Sequence, residues 1–182
     1  MAVFINGKAG DQPPAPDSED TPVGEGKVIG KRAFNFNLAD QTGSTVRLTD
    51  FTSKAPLLIA FYPVDFGLVC TKQLCNYRDS FDSFTNLGIQ VVGISPNSVS
   101  EHAKFVKRYD FPFPLLSDFG NRVAREYECT SLWMLGKTSR AVFIVNEQGL
   151  VLYRYVEPTI LTHKNAKKLI MVLEDLRLHK LI

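Results

Sequence analysis

A single change of hydrophobic period in the first half of the chain sets the strongest limit on its fold. From Leu57 to Tyr62 the residues are uninterruptedly apolar or aromatic, and Pro63 ends the run; this is the length and side-chain content of a buried strand. From Cys70 onward the period lengthens. Leu74, Tyr77, Phe81 and Phe84 recur at intervals of three or four, which places them on one face of a helix. The stretch from Pro56 to Asp79 therefore predicts strand, loop and helix, with Cys70 opening the helix.

That placement has chemical consequences. The first turn of a helix presents unpaired N–H groups and the positive end of the helix dipole, and both favour a thiolate over a thiol. A nucleophilic, low-pKa cysteine is the expectation at Cys70. Cys75 follows five residues later, about 8 to 9 Å away between Cα atoms if both stay helical. A disulfide tolerates about 7 Å at most, so a bond between the two requires the first turn to unwind.

The flanking sequence continues the alternation. Ala33 to Leu38 and Ser44 to Leu48 flank Ala39-Asp40-Gln41-Thr42-Gly43 and predict a hairpin, and Thr49-Asp50-Phe51 reads as a turn into the Leu57 strand. Gly88 ends the cysteine helix, Ile89 to Ile94 predicts a second buried strand, and Ser98 with Glu101 forms a capping box for a helix over Val99 to Tyr109. Phe111-Pro112-Phe113-Pro114 breaks that helix, a short strand follows at Leu115 and Leu116, and Asn121 to Glu128 reads as helical. Arg140 to Val145 and Leu150 to Tyr155, joined by Asn146-Glu147-Gln148-Gly149, predict a hairpin, and Asn165 to His179 a closing amphipathic helix. This order favours an α/β sandwich with parallel central strands and an antiparallel hairpin. Residues 1–27, rich in Pro, Gly and acidic side chains, read as a mobile arm ahead of one domain over 28–182.

Composition narrows the function by exclusion. Twenty-one basic residues against nineteen acidic ones give a formal charge of +2, with no basic run to bind nucleic acid. No apolar stretch approaches the roughly 18 to 20 residues of a membrane span, and Met1 to Gly10 lacks a signal-peptide pattern; a reducing, cytoplasmic setting is the expectation. Three cysteines among 182 residues do not make a secreted disulfide framework, so a cysteine pair reads as catalytic or redox-active. Cys129 reads as a small buried hydrophobe. His102, His163 and His179 are scattered and read as surface residues, with no metal cluster and no Cys–His nucleophile. No phosphate-binding glycine loop is present, and no cofactor is expected.

The segment Phe61-Tyr62-Pro63-Val64-Asp65-Phe66, then Val69-Cys70-Thr71-Lys72 and Cys75, resembles the peroxidatic segment of peroxiredoxins of the alkyl hydroperoxide reductase and thiol-specific antioxidant family. Its Cys-x4-Cys spacing is most similar to the bacterioferritin comigratory protein subfamily. Gly93-Ile94-Ser95, the stretch His102 to Asp118 and the segment Arg140 to Gly149 extend the resemblance, which covers roughly residues 28 to 157. It implies a thioredoxin-like fold, a central mixed β-sheet flanked by helices with an N-terminal β-hairpin. It also implies reduction of hydrogen peroxide and organic hydroperoxides. Cys70 matches the peroxidatic cysteine and Cys75 the resolving one; Pro63 matches the proline that shields the pocket, and Arg140 the arginine that stabilises the thiolate. A thioredoxin-type dithiol would reset the resulting disulfide, and the subfamily points to a monomer.

One departure bears on activity. The family motif is Pro-x-x-x-Thr-x-x-Cys, and Gly67 stands here in place of the threonine, with Leu68 where a proline is common. The missing hydroxyl ordinarily bonds both thiolate and peroxide, which opens an alternative reading: a catalytically attenuated, peroxiredoxin-like redox sensor or binding module. Spacing alone leaves Cys70 and Cys75 readable as two small helix residues, one buried and one half exposed. Arg140, without the resemblance, reads as capping a sheet edge or pairing with Asp65 or Asp79. Tyr62, Phe66, Leu68 and Trp133 are candidates to line an apolar approach to Cys70, against the alternative that they are plain core.

Overall fold

The computed structural model describes residues 29–131, 136–159 and 161–182; the arm expected at residues 1–27 and the side chain of Trp133 lie outside them. Leu57–Phe61 forms strand β3, as the apolar run requires. It lies inside a sheet whose other strands are β1 (Asn37–Asp40), β2 (Thr45–Arg47), β4 (Gln90–Ser95), β5 (Leu115–Ser117), β8 (Ala141–Val145) and β9 (Val151–Val156), in the order β2-β1-β5-β4-β3-β8-β9, with β3 between β4 and β8. β3, β4 and β5 run parallel, with Ile59 opposite Val92 and Ile94 opposite Leu116, whereas β8 pairs antiparallel to β3. The N-terminal hairpin is no appendage: β1 pairs antiparallel with β5 and extends the sheet.

The period of two along the central strands divides the core. Leu58, Ala60, Val142 and Ile144 point to one face, where they pack with Leu74 and Tyr77 of α2 (Leu68–Asp79), Phe84 of α3 (Phe81–Asn86), Phe105 of α4 (Val99–Tyr109) and Leu169 and Leu173 of α6 (Ala166–Leu178). Leu57, Ile59, Phe61, Phe143 and Val145 point to the other, against Leu48 of α1 (Leu48–Thr52) and Val123 and Ala124 of α5 (Arg122–Glu126). Strands covered on both faces need no polar alternation, which is why β3 and β8 read as unbroken apolar runs.

Local signals mark the starts of α4 and α6 and the exit from α3. Ser98 Oγ accepts from the Glu101 amide and Glu101 Oε2 from the Ser98 amide, so α4 begins with the expected capping box. Asn165 caps α6 by accepting from the Lys168 amide at 2.9 Å. Gly88 adopts φ 73, the left-handed geometry that lets the chain leave α3 and enter β4.

Four expectations are corrected. The cysteine helix starts at Leu68, not Cys70, and breaks at Ser80, which ends α2 and begins α3. The segment at Thr49 to Phe51 is the short helix α1. The strand expected from Ala33 begins only at Asn37. A small two-stranded sheet, β6 (Thr130–Ser131) with β7 (Lys137–Thr138), had no expected counterpart, because pairs this short carry no readable period.

Candidate active site

Cys70 occupies the third position of α2, 2% exposed, on the same helix face as Gln73, Leu74 and Tyr77. The helical hydrogen bonds begin with Thr71 N donating to Gly67 O. The amides of Leu68, Val69 and Cys70 thus have no intrahelical acceptor, and Gly67, as N-cap, brings no side chain to them. Arg140 comes from the residue before β8, and its Nη1 donates to Cys70 Sγ at 3.5 Å. The observed donor to this buried sulfur is thus the guanidinium of Arg140.

Arg140 is itself held in place. Its Nε donates to Thr162 O at 2.8 Å and its carbonyl accepts from Glu157 N at 2.8 Å; Thr162 Oγ1 donates to Glu157 Oε2 at 2.7 Å. His163 lies beside this group. Burial pushes its imidazole below the ordinary range, against a smaller upward pull from Glu157, and Arg140 and Lys72 push it further down. Thr162, Glu157 and His163 had no signal in the sequence, since all three lie in the irregular connection between β9 and α6 and reach the site only through tertiary folding.

The histidine reading needs correction as well. His102 is a core residue with 0% exposure. Its Nδ1 faces Asp65 Oδ2 at 2.8 Å and its Nε2 faces Leu116 O at 3.2 Å. Asp65 Oδ1 accepts in addition from Tyr62 Oη at 2.9 Å, and the Asp65 amide donates to Asn97 Oδ1 at 2.9 Å. Burial, reinforced by Asp65, pushes the Tyr62 hydroxyl well above the ordinary tyrosine range. Gly93 makes room for this network: a Cβ there would meet Leu115 Cδ2 at 2.5 Å and Tyr62 Cε1 at 3.2 Å. Thus Asp65 is committed to His102, and Asp79 pairs with Arg78 at 2.8 Å.

The remaining candidates fall as follows. Pro63 sits half-buried two residues after the end of β3, in the loop that leads to α2. Tyr62 is core, while Phe66 (48% exposed) and Leu68 (82%) lie at the surface near the sulfur's end of α2. Thr71 Oγ1 is buried and makes no hydrogen bond among the described residues, Cys70 Sγ included. Gln73 donates from Nε2 to Tyr77 Oη at 3.1 Å, and its buried Oε1 has no partner among the described residues; nothing in the structure explains that carbonyl. Cys129 packs on the sheet face opposite Cys70, 1% exposed. Burial pushes its thiol far above the ordinary range.

Cys75 is half-buried and, like Cys70, a free thiol. Burial pushes it above the ordinary thiol range; Arg78 pulls it down and Asp79 pushes it up. A raised value means less thiolate at any given pH, so alkylation of Cys75 by iodoacetamide in the reduced protein is expected to have its midpoint above the roughly 8.5 of a free cysteine. A midpoint at or below the free-thiol value, read by peptide mass spectrometry across pH, would contradict this surrounding.

Fold and site together define a class: a thioredoxin-like α/β protein with a buried cysteine at a helix N-terminus faced by an arginine. The profile described as the AhpC/TSA family matches residues 29–154, and the chain belongs to that family. Its sequence is 40% identical over 121 residues to the chloroplastic peroxiredoxin Q of Triticum aestivum, covering 66% of this chain and 55% of that one. It is 30% identical over 143 residues to peroxiredoxin Bcp of Bacillus subtilis (strain 168), covering 74% of this chain and 88% of that one. Among solved structures, peroxidoxin BcpB from Mycobacterium tuberculosis superposes with a TM-score of 0.73 at 30% identity, over 81% of this chain and 96% of that one. The chain spans little more than half the length of the plant relatives it matches. No helix of the described residues is long and apolar enough to cross a membrane.

Proposed function

We propose that the chain is a thiol-dependent peroxidase that reduces hydrogen peroxide and organic hydroperoxides. The observation that carries this reading is the 3.5 Å approach of Arg140 Nη1 to the sulfur of Cys70 at the open end of α2. Cys70 thiolate attacks one peroxide oxygen: an S–O bond forms, the O–O bond breaks, and the leaving oxygen takes a proton to depart as water or an alcohol. Donors around the sulfur stabilise the charge that moves onto that oxygen. The product is Cys70 sulfenic acid. Cys75 thiolate then attacks the Cys70 sulfur, the S–O bond breaks, and water leaves as the disulfide forms. A dithiol of the thioredoxin type returns both cysteines to thiols by exchange, being itself oxidised. In this scheme Pro63 shields the pocket, and the protein works as a monomer in the cytoplasm.

The test is single-turnover reaction of the fully reduced protein with hydrogen peroxide, quenched at intervals and mapped by mass spectrometry. Oxygen addition at Cys70 followed by a Cys70–Cys75 bond is expected. A Cys70–Cys129 bond would remove Cys75 from its role, since that pairing has to cross the sheet.

The attenuated-sensor reading has one observation in its favour. A Cβ added to Gly67 would lie 3.6 Å from Cys70 Sγ, so a threonine hydroxyl, one bond further, would reach the sulfur, and that group is missing. Gly67 adopts φ −63 and ψ 136, which any residue tolerates. The near contact, 2.9 Å to Val64 Cγ1, involves a side chain 45% exposed that can turn away. Gly67→Thr is expected to raise the peroxide rate constant by roughly a hundredfold if the native site is attenuated, the size of one oxyanion donor. No gain would mean that the site already supplies this function, and the sensor reading would fall.

A further inference from the structure

The loop between β3 and α2 is fastened to α4 at two neighbouring residues. Asp65 is held through its carboxylate by His102 and Tyr62 and through its amide by Asn97. Phe66 lays its ring against Phe105 and Tyr109, with centroids 4.8 and 6.3 Å apart. His102, Phe105 and Tyr109 stand three and four residues apart on α4 and so share one helix face. That face acts as a base on which the loop is mounted. Phe66 also has φ 60, a left-handed geometry that a bulky residue keeps only where its surroundings enforce it. The loop is thus sprung: freed of its fastenings, it would move away from this conformation.

What the loop holds is Cys70. Gly67, next after Phe66, caps α2, and the first turn of the helix carries the sulfur to Arg140. Neither His102 nor Phe66 is a hydrogen-bonding partner of Cys70. The far end of α2 is fastened to the same helix, since Arg78 Nη1 donates to Tyr109 O at 2.6 Å. Helical geometry keeps Cys75 out of disulfide range while the first turn is intact. The two halves of the proposed cycle therefore need opposite states of one turn: wound for attack on the peroxide, unwound for the disulfide.

We infer that His102, acting through Asp65, and the ring of Phe66 are positioning residues that hold Cys70 against Arg140 during peroxide attack and set the rate at which the first turn of α2 opens toward Cys75. The inference rests on the roles proposed above for Cys70 and Cys75. Loosening the fastening slows the first step, because the sulfur is held less well in its attacking position. The same change speeds the second, because the closed state is what must be left. At high peroxide less Cys70 then proceeds to sulfinic acid, since the disulfide captures the sulfenic acid sooner.

The experiment is quenched-flow mass spectrometry of the full chain with hydrogen peroxide, giving separate rate constants for oxygen addition at Cys70 and for disulfide closure. Phe66→Ala is a half-exposed change that the fold tolerates, and it is expected to slow attack about tenfold or more and to speed closure about tenfold. Asp65→Ala is expected to do the same. Asp65→Asn is the conservative rescue: its amide can donate to His102 Nδ1 while the ring donates from Nε2 to Leu116 O and Tyr62 donates to the amide oxygen, so both rates should return toward wild type. A loss of stability alone would not move the two rates in opposite directions, nor be recovered in both by Asp65→Asn. Wild-type and Phe66→Ala rates that agree, or that fall together, would overturn the inference while leaving the peroxidase reading in place. Wild-type protein that forms neither sulfenic acid at Cys70 nor a Cys70–Cys75 bond would overturn that reading and the inference with it. Should Asp65→Ala fail to fold, Phe66→Ala and Asp65→Asn decide the matter.

Discussion

Cys70→Ser is expected to reduce peroxide turnover to the uncatalysed background while leaving the fold intact. The substitution exchanges sulfur for oxygen in a site 2% exposed, a small change in volume that the packed face of α2 accommodates. The chemistry does not survive it. A serine hydroxyl is scarcely ionised near neutral pH, is a far weaker nucleophile toward an O–O bond than a thiolate, and forms no counterpart of a sulfenic acid. With no oxidised Cys70 to attack, Cys75 also stays a thiol. Peroxide consumption with a dithiol reductant, alongside thermal unfolding of the variant, checks both halves. Turnover retained by a folded Cys70→Ser protein would reject the assignment outright, because the other two thiols are poorly placed. One has its ionisation opposed by burial, and the other lies across the sheet.

Arg140→Leu ranks second in expected size. Among its contacts, the guanidinium reaches Cys70 Sγ through Nη1 at 3.5 Å and Thr162 O through Nε at 2.8 Å, in different directions. Its loss removes the cation facing the sulfur and leaves the Thr162 carbonyl without that donor. The rate constant for oxidation of Cys70 should fall about a hundred- to a thousandfold, the range seen when one preorganised donor is taken from a developing anion. Arg140→Lys separates charge from geometry. An ammonium restores the charge but not the planar fork that serves both contacts, so it should recover only part of the loss. Competition kinetics against a second peroxide consumer measures all three proteins. An Arg140→Leu protein oxidised at the wild-type rate would leave the arginine a purely structural residue.

Much of this was readable from the chain because the relevant signals are local. The unbroken apolar run at Leu57, the helical spacing after Cys70 and the Ser98–Glu101 box each depend on residues within one or two turns, and each appears where expected. Errors clustered where local signals are weak or absent. The start of α2 was misplaced by two residues because Leu68 and Val69 are compatible with loop or helix. The sequence alone gives His102 the look of a surface residue, because its partners, Asp65 and Leu116, lie 37 and 14 residues away. No periodicity announces a buried, hydrogen-bonded histidine, because its partners come from other elements and exist only once the core has formed.

The same division runs through the site. By itself the sequence determined that a cysteine would stand at the N-terminal end of a helix after a buried strand, and that a second would follow about one and a half turns later. Those properties follow from spacing, and spacing is fixed once the chain is written. Spacing says nothing of which cation faces the sulfur; the resemblance implies Arg140, and the tertiary structure brings it there from 70 residues away because β8 pairs with β3. The tertiary structure also decided that Cys129 lies beyond reach and that α4 carries the loop on His102, Phe105 and Tyr109. These are questions of which elements share a face of the sheet, and a face becomes exclusive only when the sheet has formed and its two sides are separately packed.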